Sequence, residues 1–363
     1  MTQRVHNFNA GPAALPLPVL EEVQRDLLAL PGVGMSILEL SHRSSTFLAM
    51  MEEAEANLRR LLRVPEGWHV LFLPGGATLQ FAMVPMSFLA AGESADYLVT
   101  GTWSAKAVKE VARLGKTARV AFDGKPESYV RAPVTGEVDV NPHAAYVHYT
   151  ANETIHGVEY GEPPAVGSVP LICDASSNFL SRPFEVGRHA LVYAGAQKNV
   201  GPAGVTIVLL REELLSKVPD GLPSMLDYRV QVDEKSNHNT PPVFAIYVVL
   251  LVTRWLLGQG GLAEIEARNR EKAELVYRAI DGSGGFYRGH AQPESRSRMN
   301  VAFRLPDEET EKRFLAEAGK AGLAGLKGHR SVGGIRASLY NAVPKAAAEA
   351  LAGFMEDFRR RAG

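Results

Sequence analysis

Short apolar stretches alternate with helical stretches along most of this chain, and that alternation limits the fold more than any other feature of its 363 residues. The extended stretches are His69–Leu73, Ala95–Val99, Ala118–Phe122, Ala145–Tyr149, Pro170–Cys173, Leu191–Ala194 and Val205–Leu210. Between them, apolar residues recur at helical spacing. Phe47, Leu48, Met51, Ala54, Leu58, Leu61 and Leu62 form one such stripe, and the stretches up to Phe88 and over 105–114 form others. A chain that alternates in this way builds an α/β domain around a mainly parallel sheet. The run Val205–Leu210 is apolar almost throughout, as a strand covered on both faces must be. After Gly258-Gln259-Gly260-Gly261 the character changes. A long charged helix (262–281), a strand (299–305), a helix (307–321), a strand near 333–339 and a helix from Pro344 predict a smaller α+β domain.

Several predicted strands end in small or polar residues: Gly75-Gly76-Ala77-Thr78, Thr102-Trp103, Asn152-Glu153-Thr154, Asp174 and Gln197-Lys198. Open parallel sheets bind ligands beyond the carboxyl ends of their strands, so these residues are placed to converge on one cleft. The Gly75–Thr78 turn opens a helix whose free N–H groups suit a phosphate, although a Gly pair is also an ordinary turn. Lys198, flanked by small residues, suits a nucleophilic amine; most loop lysines are simply solvated. Asp174 suits a cationic ring nitrogen, or equally the cap of a following helix. Trp103 suits stacking on a ring, or plain packing. The order of the four is that of a pyridoxal-phosphate site. No G-x-G-x-x-G, G-x-S-x-G or H-E-x-x-H occurs, which removes the sequence support for a dinucleotide fold, a serine hydrolase and a zincin.

Charge and cysteine narrow the classes further. Lys+Arg (39) nearly balance Asp+Glu (40), which argues against a general electrostatic grip on nucleic acid or an anionic membrane. The single Cys173 allows no intramolecular disulfide and no all-cysteine metal site, so no metal is expected. The stretch Val243–Leu257 is too short and too polar for a membrane span, and the N-terminus lacks a signal-peptide pattern. A cytoplasmic location is the expectation.

The segments Asn7–Pro16, Ser41–Ser44, Gly75–Phe81, Asn152–Gly157, Asp174–Ser181, Ala194–Asn199, Asn239–Pro242 and Gly328–Ala342 carry a resemblance to the class V pyridoxal-phosphate-dependent aminotransferases, and among them to the branch acting on phosphoserine. The resemblance implies fold type I, like aspartate aminotransferase, with an N-terminal segment (1–15) near the active site, a large cofactor-binding domain (16–258) and a small domain (259–363). It implies pyridoxal 5'-phosphate held through Lys198, which also shuttles a proton, with Asp174 on the ring nitrogen, Trp103 on the ring face and Thr154 on the ring hydroxyl. Gly76, Ala77 and Gln197 would take the cofactor phosphate. Asn239 and Thr240 would reach it from a second subunit, making a homodimer. Arg336 would fork onto the substrate carboxylate, with His42, Arg43, His329 and Arg330 around the far anionic group. The implied reaction passes an amino group between L-glutamate and 3-phosphohydroxypyruvate, giving O-phospho-L-serine and 2-oxoglutarate; a further step toward pyridoxine stays open. Ala175 departs from the Met common after the Asp. Another class V aminotransferase, such as the serine–glyoxylate type, has no use for two His-Arg pairs, and a desulfurase needs a mobile cysteine where Cys173 ends a buried strand. A binding protein without catalysis has no use for Lys198 and Asp174.

Overall fold

The computed structural model describes residues 4–362; residues 1–3 and Gly363, at the ends of the expected N-terminal segment and small domain, lie outside the described residues. Seven strands make the central sheet: β1 (Trp68–Leu73), β2 (Ser94–Val99), β3 (Thr117–Asp123), β4 (Val147–Thr150), β5 (Leu171–Asp174), β6 (Leu191–Gly195) and β7 (Thr206–Arg211). Their order is β1-β7-β6-β5-β4-β2-β3. β7 runs antiparallel to both neighbours, and the other pairs are parallel.

The apolar run of β7 has its predicted cause. Ile207 and Leu209 pack on one face of the sheet, in a core shared with α1 (Leu17–Asp26), α2 (Ser45–Leu62) and α6 (Val243–Gly258). Val208 and Leu210 pack on the other face, in a core shared with α3 (Gly76–Phe88), α4 (Thr102–Arg113) and α5 (Tyr228–Asp233). Successive side chains of a strand point to opposite faces, so a sheet covered on both sides admits no polar alternation. The apolar stretch at 243–257 is the buried helix α6. No single helix in the described residues is long and apolar enough to cross a membrane.

A third core, built by Val276, Phe303, Phe314, Leu351 and Phe358 with Phe8 from the N-terminal segment, lies under a three-stranded sheet. That sheet comprises β8 (Arg288–Gly289), β9 (Asn300–Arg304) and β10 (Ile335–Ser338). α7 (Leu262–Asp281), α8 (Glu308–Lys320) and α9 (Lys345–Ala362) complete this part. The N-terminal segment ties both parts together. His6–Asn7 pairs with Leu323–Ala324, and the Ala13 amide donates to the Gln197 carbonyl at 2.9 Å.

Two features lie outside the sequence expectation. A hairpin of Asn152–Glu153 with Val158–Glu159 leaves the end of β4, and α4 starts three residues before the predicted 105. Asp174 is the last residue of β5, followed by a turn and not a helix, so it caps none.

Candidate active site

Because β5 and β6 are parallel neighbours, their carboxyl ends bring Asp174 and the Lys198 loop together. The Lys198 amine has two hydroxyl partners, Thr154 Oγ1 and Ser177 Oγ, each at 2.7 Å. Those hydroxyls lie 2.6 Å from each other. Burial and the Arg336 charge push the amine down, the Asp174 and Glu153 carboxylates push it up, and the result is about 8. Lys198 keeps some exposed surface, yet protein encloses Nζ closely enough that desolvation leads. Burial raises the Asp174 carboxyl, opposed by Lys198 and Ser176. Asp174 Oδ1 accepts from the Ser176 amide at 2.9 Å, while Oδ2 has no protein donor among the described residues.

Trp103 stands over the same place, with Lys198 Nζ 5.8 Å from its ring centroid. Glu153 holds it there. This carboxylate, fully removed from solvent, accepts from the Trp103 amide (3.0 Å), the Ser104 amide (2.8 Å) and the Ser104 hydroxyl (2.7 Å). It satisfies the free N–H groups at the start of α4 and stabilises the positive end of that helix. A Cβ on Gly101 would lie 2.4 Å from Glu153 Cδ, so glycine is needed for the carboxylate to reach. Gly76 begins α3 at φ +67°, and a Cβ added there would meet no atom within 4 Å. Its backbone therefore faces open space at a helix N-terminus, the setting that accepts a phosphate.

Arg336, on β10, reaches across from the small part of the molecule, with Nη1 3.5 Å from the Thr154 carbonyl. Its buried Nε has no partner. Among the described residues Arg43, Arg330 and Arg336 enter no ion pair, unlike most of the chain's arginines. Burial lowers the His329 imidazole first, then the charges of Arg336, Lys106 and Arg330, which places four basic groups around one region. Lys106 lies 4.1 Å over the Trp103 ring on the outer side of this group.

Not every expected residue lies in that cluster. Asn239 and Thr240 are exposed, and the Asn237 side chain donates from Nδ2 to the His42 carbonyl at 3.3 Å. This brings the segment before Asn239 and Thr240 against His42, whose neighbour Arg43 is exposed. No hydrogen bond or ion pair among the described residues joins His42, Arg43, Asn239 or Thr240 to Lys198. A cavity of 920 Å³ beside Arg60, Tyr160, Arg182 and Glu266 is lined by other residues than these. Sequence reading gave no role to Ser177, Glu153 or Lys106, although Glu153 stood among the polar strand ends expected to converge on one cleft. Ser177 lay inside a quoted segment, but nothing in its spacing marks it; Glu153 and Lys106 gain their roles only from the hairpin and from α4.

Cys173 sits inside the sheet with no accessible surface, and burial raises its thiol far above the usual range. No mobile nucleophile of the desulfurase kind is available there.

Comparison with known proteins agrees with this geometry. The profile of the family described as Aminotransferase class-V matches residues 5–351. The chain belongs to that family. It is 55% identical to the phosphoserine aminotransferase of Geobacillus kaustophilus over 99% of both chains. The structure of the Bacillus circulans subsp. alkalophilus phosphoserine aminotransferase superposes with a TM-score of 0.97, at 51% identity over 100% of both chains. A pyridoxal-phosphate-bound phosphoserine aminotransferase from Trichomonas vaginalis gives 0.92, at 42% identity, covering 97% of this chain and 100% of that one.

Proposed function

We propose that this chain is a pyridoxal-phosphate-dependent transaminase that passes the amino group of L-glutamate to 3-phosphohydroxypyruvate, giving O-phospho-L-serine and 2-oxoglutarate. The observation that carries the reading is the Lys198–Asp174–Thr154–Trp103 constellation with an unpaired Arg336 at its mouth. The 55% identity of a full-length phosphoserine aminotransferase sets the substrate class.

The residues fit the cofactor. Asp174 has a carboxylate oxygen without a protein donor for a ring nitrogen, and Gly76 opens a helix end for a phosphate. In this reading Lys198 carries the cofactor, Thr154 holds its ring hydroxyl, Trp103 covers its face, and Gly76, Ala77 and Gln197 hold its phosphate. When bound, pyridoxal phosphate supplies the carbonyl that joins amines and the electron sink for the substrate carbanion. The Lys198 amine, near 8, is basic enough to accept the substrate α-proton and acidic enough to return it. Arg336 clamps the α-carboxylate with its planar fork and excludes substrates that lack one. His329 and Arg330 take the distal carboxylate or phosphate, joined by His42 and Arg43.

Asn239 and Thr240 belong to the same site in this reading but come from a second copy, and His42, whose carbonyl accepts from Asn237 two residues before Asn239, comes with Arg43 from that copy as well. The working unit is then a homodimer, in the cytoplasm, with the N-terminal segment, residues 16–258 and residues 259–363 as its three parts. The test is direct. With pyridoxal phosphate, the protein gains a visible band that borohydride fixes on Lys198, and it turns over phosphoserine at least tenfold faster than serine. Equal rates with serine select the serine–glyoxylate type, no band selects a binding protein, and turnover of the four-carbon phosphate adds the pyridoxine step.

A further inference from the structure

The Lys198 amine does not sit on one partner. Nζ, Thr154 Oγ1 and Ser177 Oγ form a triangle with sides of 2.7, 2.7 and 2.6 Å. Such a triangle satisfies the amine in both of its protonation states. As an ammonium, Nζ donates to both hydroxyls, and one hydroxyl donates to the other. As a neutral amine, Nζ donates to one hydroxyl, that hydroxyl donates to the second, and the second donates to the nitrogen lone pair. Only hydroxyl hydrogens rotate between the two arrangements. A lysine that must take up and give back a proton therefore does so with its heavy atoms in place.

Thr154 is committed elsewhere in the proposed reaction, which leaves Ser177 as the hydroxyl that serves the amine; the phenol of Tyr340, whose titration burial raises, faces Ser177 from the small part of the molecule and donates to the Ala10 carbonyl. Ser177 is only 1% exposed and is held rigidly. Its carbonyl accepts from Asn199 Nδ2 at 3.1 Å, immediately after Lys198. The preceding Ser176 accepts from the Gly195 amide at 3.0 Å and donates its own amide to Asp174. The turn carrying Ser177 is thus fastened to both β5 and β6. The charged groups acting on Nζ are Asp174 from the end of β5, Glu153 from the hairpin and Arg336 from β10.

We propose that Ser177 is a positioning residue for the proposed reaction, whose hydroxyl holds the released Lys198 amine in line for proton transfer and stabilises its protonated form. The inference rests on the proposed transamination, but its test separates the two. The Lys198 amine is titrated by NMR in the full-length, cofactor-free chain carrying carbon-13-labelled lysine. In Ser177→Ala the ammonium loses an acceptor, so the midpoint moves to lower pH by about one unit, a tenfold change in the protonation equilibrium. Ser177→Thr keeps a hydroxyl at the same position, so it leaves the midpoint within about 0.3 unit of the parent. With cofactor bound, Ser177→Ala loses about tenfold in kcat while KM for glutamate stays within about twofold, and Ser177→Thr recovers most of the lost rate. A folded Ser177→Ala protein that titrates Lys198 at the parental midpoint, or a folded Ser177→Thr protein that titrates it as Ser177→Ala does, overturns the role of Ser177. Failure of the parent to gain the Lys198-linked band overturns the transaminase reading instead.

Discussion

At the scale of single residues, the site depends on charges held close together with little water. Lys198 is the clearest case. Its amine is depressed from 10.5 to about 8, with Asp174 and Glu153 opposing the fall. Removing a nearby negative charge must lower it further. Asp174→Asn is therefore expected to move the pH at which Lys198 becomes half-reactive toward a small acylating reagent below 8, read by mass spectrometry of the modified peptide. An unchanged or higher midpoint would show that Asp174 does not act on the amine. The same shift links to stability with a definite sign. Between about 8 and 10.5 the unfolded chain holds a proton on this lysine that the folded chain does not. The contribution of Lys198 to stability is thus least favourable below 8 and improves as pH rises to 10.5. Replacing it with Met should flatten that rise in a series of thermal melts. Asp174 and Lys198 were legible in the sequence because each stands at the end of an apolar strand beside small residues. Ser177 and Glu153 were not, since a serine in a turn and a glutamate in a polar segment look alike whether or not anything charged approaches them.

At the scale of elements, the apolar pattern carried most of the information. The helix expected over 262–281 is α7, and the stripe from Phe47 to Leu62 lies in α2. The start of α4 was hidden because its cap is not local: Glu153 arrives from about fifty residues away. Two-residue strands such as those of the 152–159 hairpin have no period to read. The Gly75-Gly76 turn shows how closely an element end is specified. Both glycines have positive φ, +91° and +67°. A Cβ on Gly75 would fall 2.4 Å from Leu79 Cδ2 and 2.8 Å from Leu79 Cβ, within its own helix. A Cβ on Gly76 would enter open space. Gly75→Ala is expected to cost about 1–3 kcal/mol of stability, visible as a lower melting temperature without cofactor. Gly76→Ala should melt closer to the parent yet bind pyridoxal phosphate about tenfold more weakly, because its methyl occupies the proposed phosphate position. If Gly76→Ala binds the cofactor as the parent does, the phosphate lies elsewhere.

At the scale of the whole molecule, the near balance of charge conceals an uneven distribution. Most arginines are paired at the surface, whereas Arg43, Arg330 and Arg336 are free of carboxylates among the described residues. Two of these belong with His329 near Lys198, and the third follows His42, whose carbonyl accepts from Asn237, two residues before Asn239. The family resemblance implied one site for all of them, with Asn239 and Thr240 reaching it from a second subunit. Within one chain no hydrogen bond or ion pair among the described residues joins the two groups, and twofold symmetry would bring them together. In an isologous dimer each site would use Lys198 from one subunit and Asn239 with Thr240 from the other. That arrangement has a consequence no monomeric site shares. Lys198→Ala chains alone have no amine, and Asn239→Ala/Thr240→Ala chains alone lose much of the cofactor phosphate grip. When equal amounts are unfolded together and refolded, about half of the dimers are mixed. Each mixed dimer has one site with both defects and one with neither, so the mixture should recover about one quarter of parental activity. Separately refolded samples mixed afterwards should recover only as fast as subunits exchange. Recovery no greater than the average of the two mutants would place Asn239 and Thr240 outside the partner's site, and the two groups would then serve different purposes.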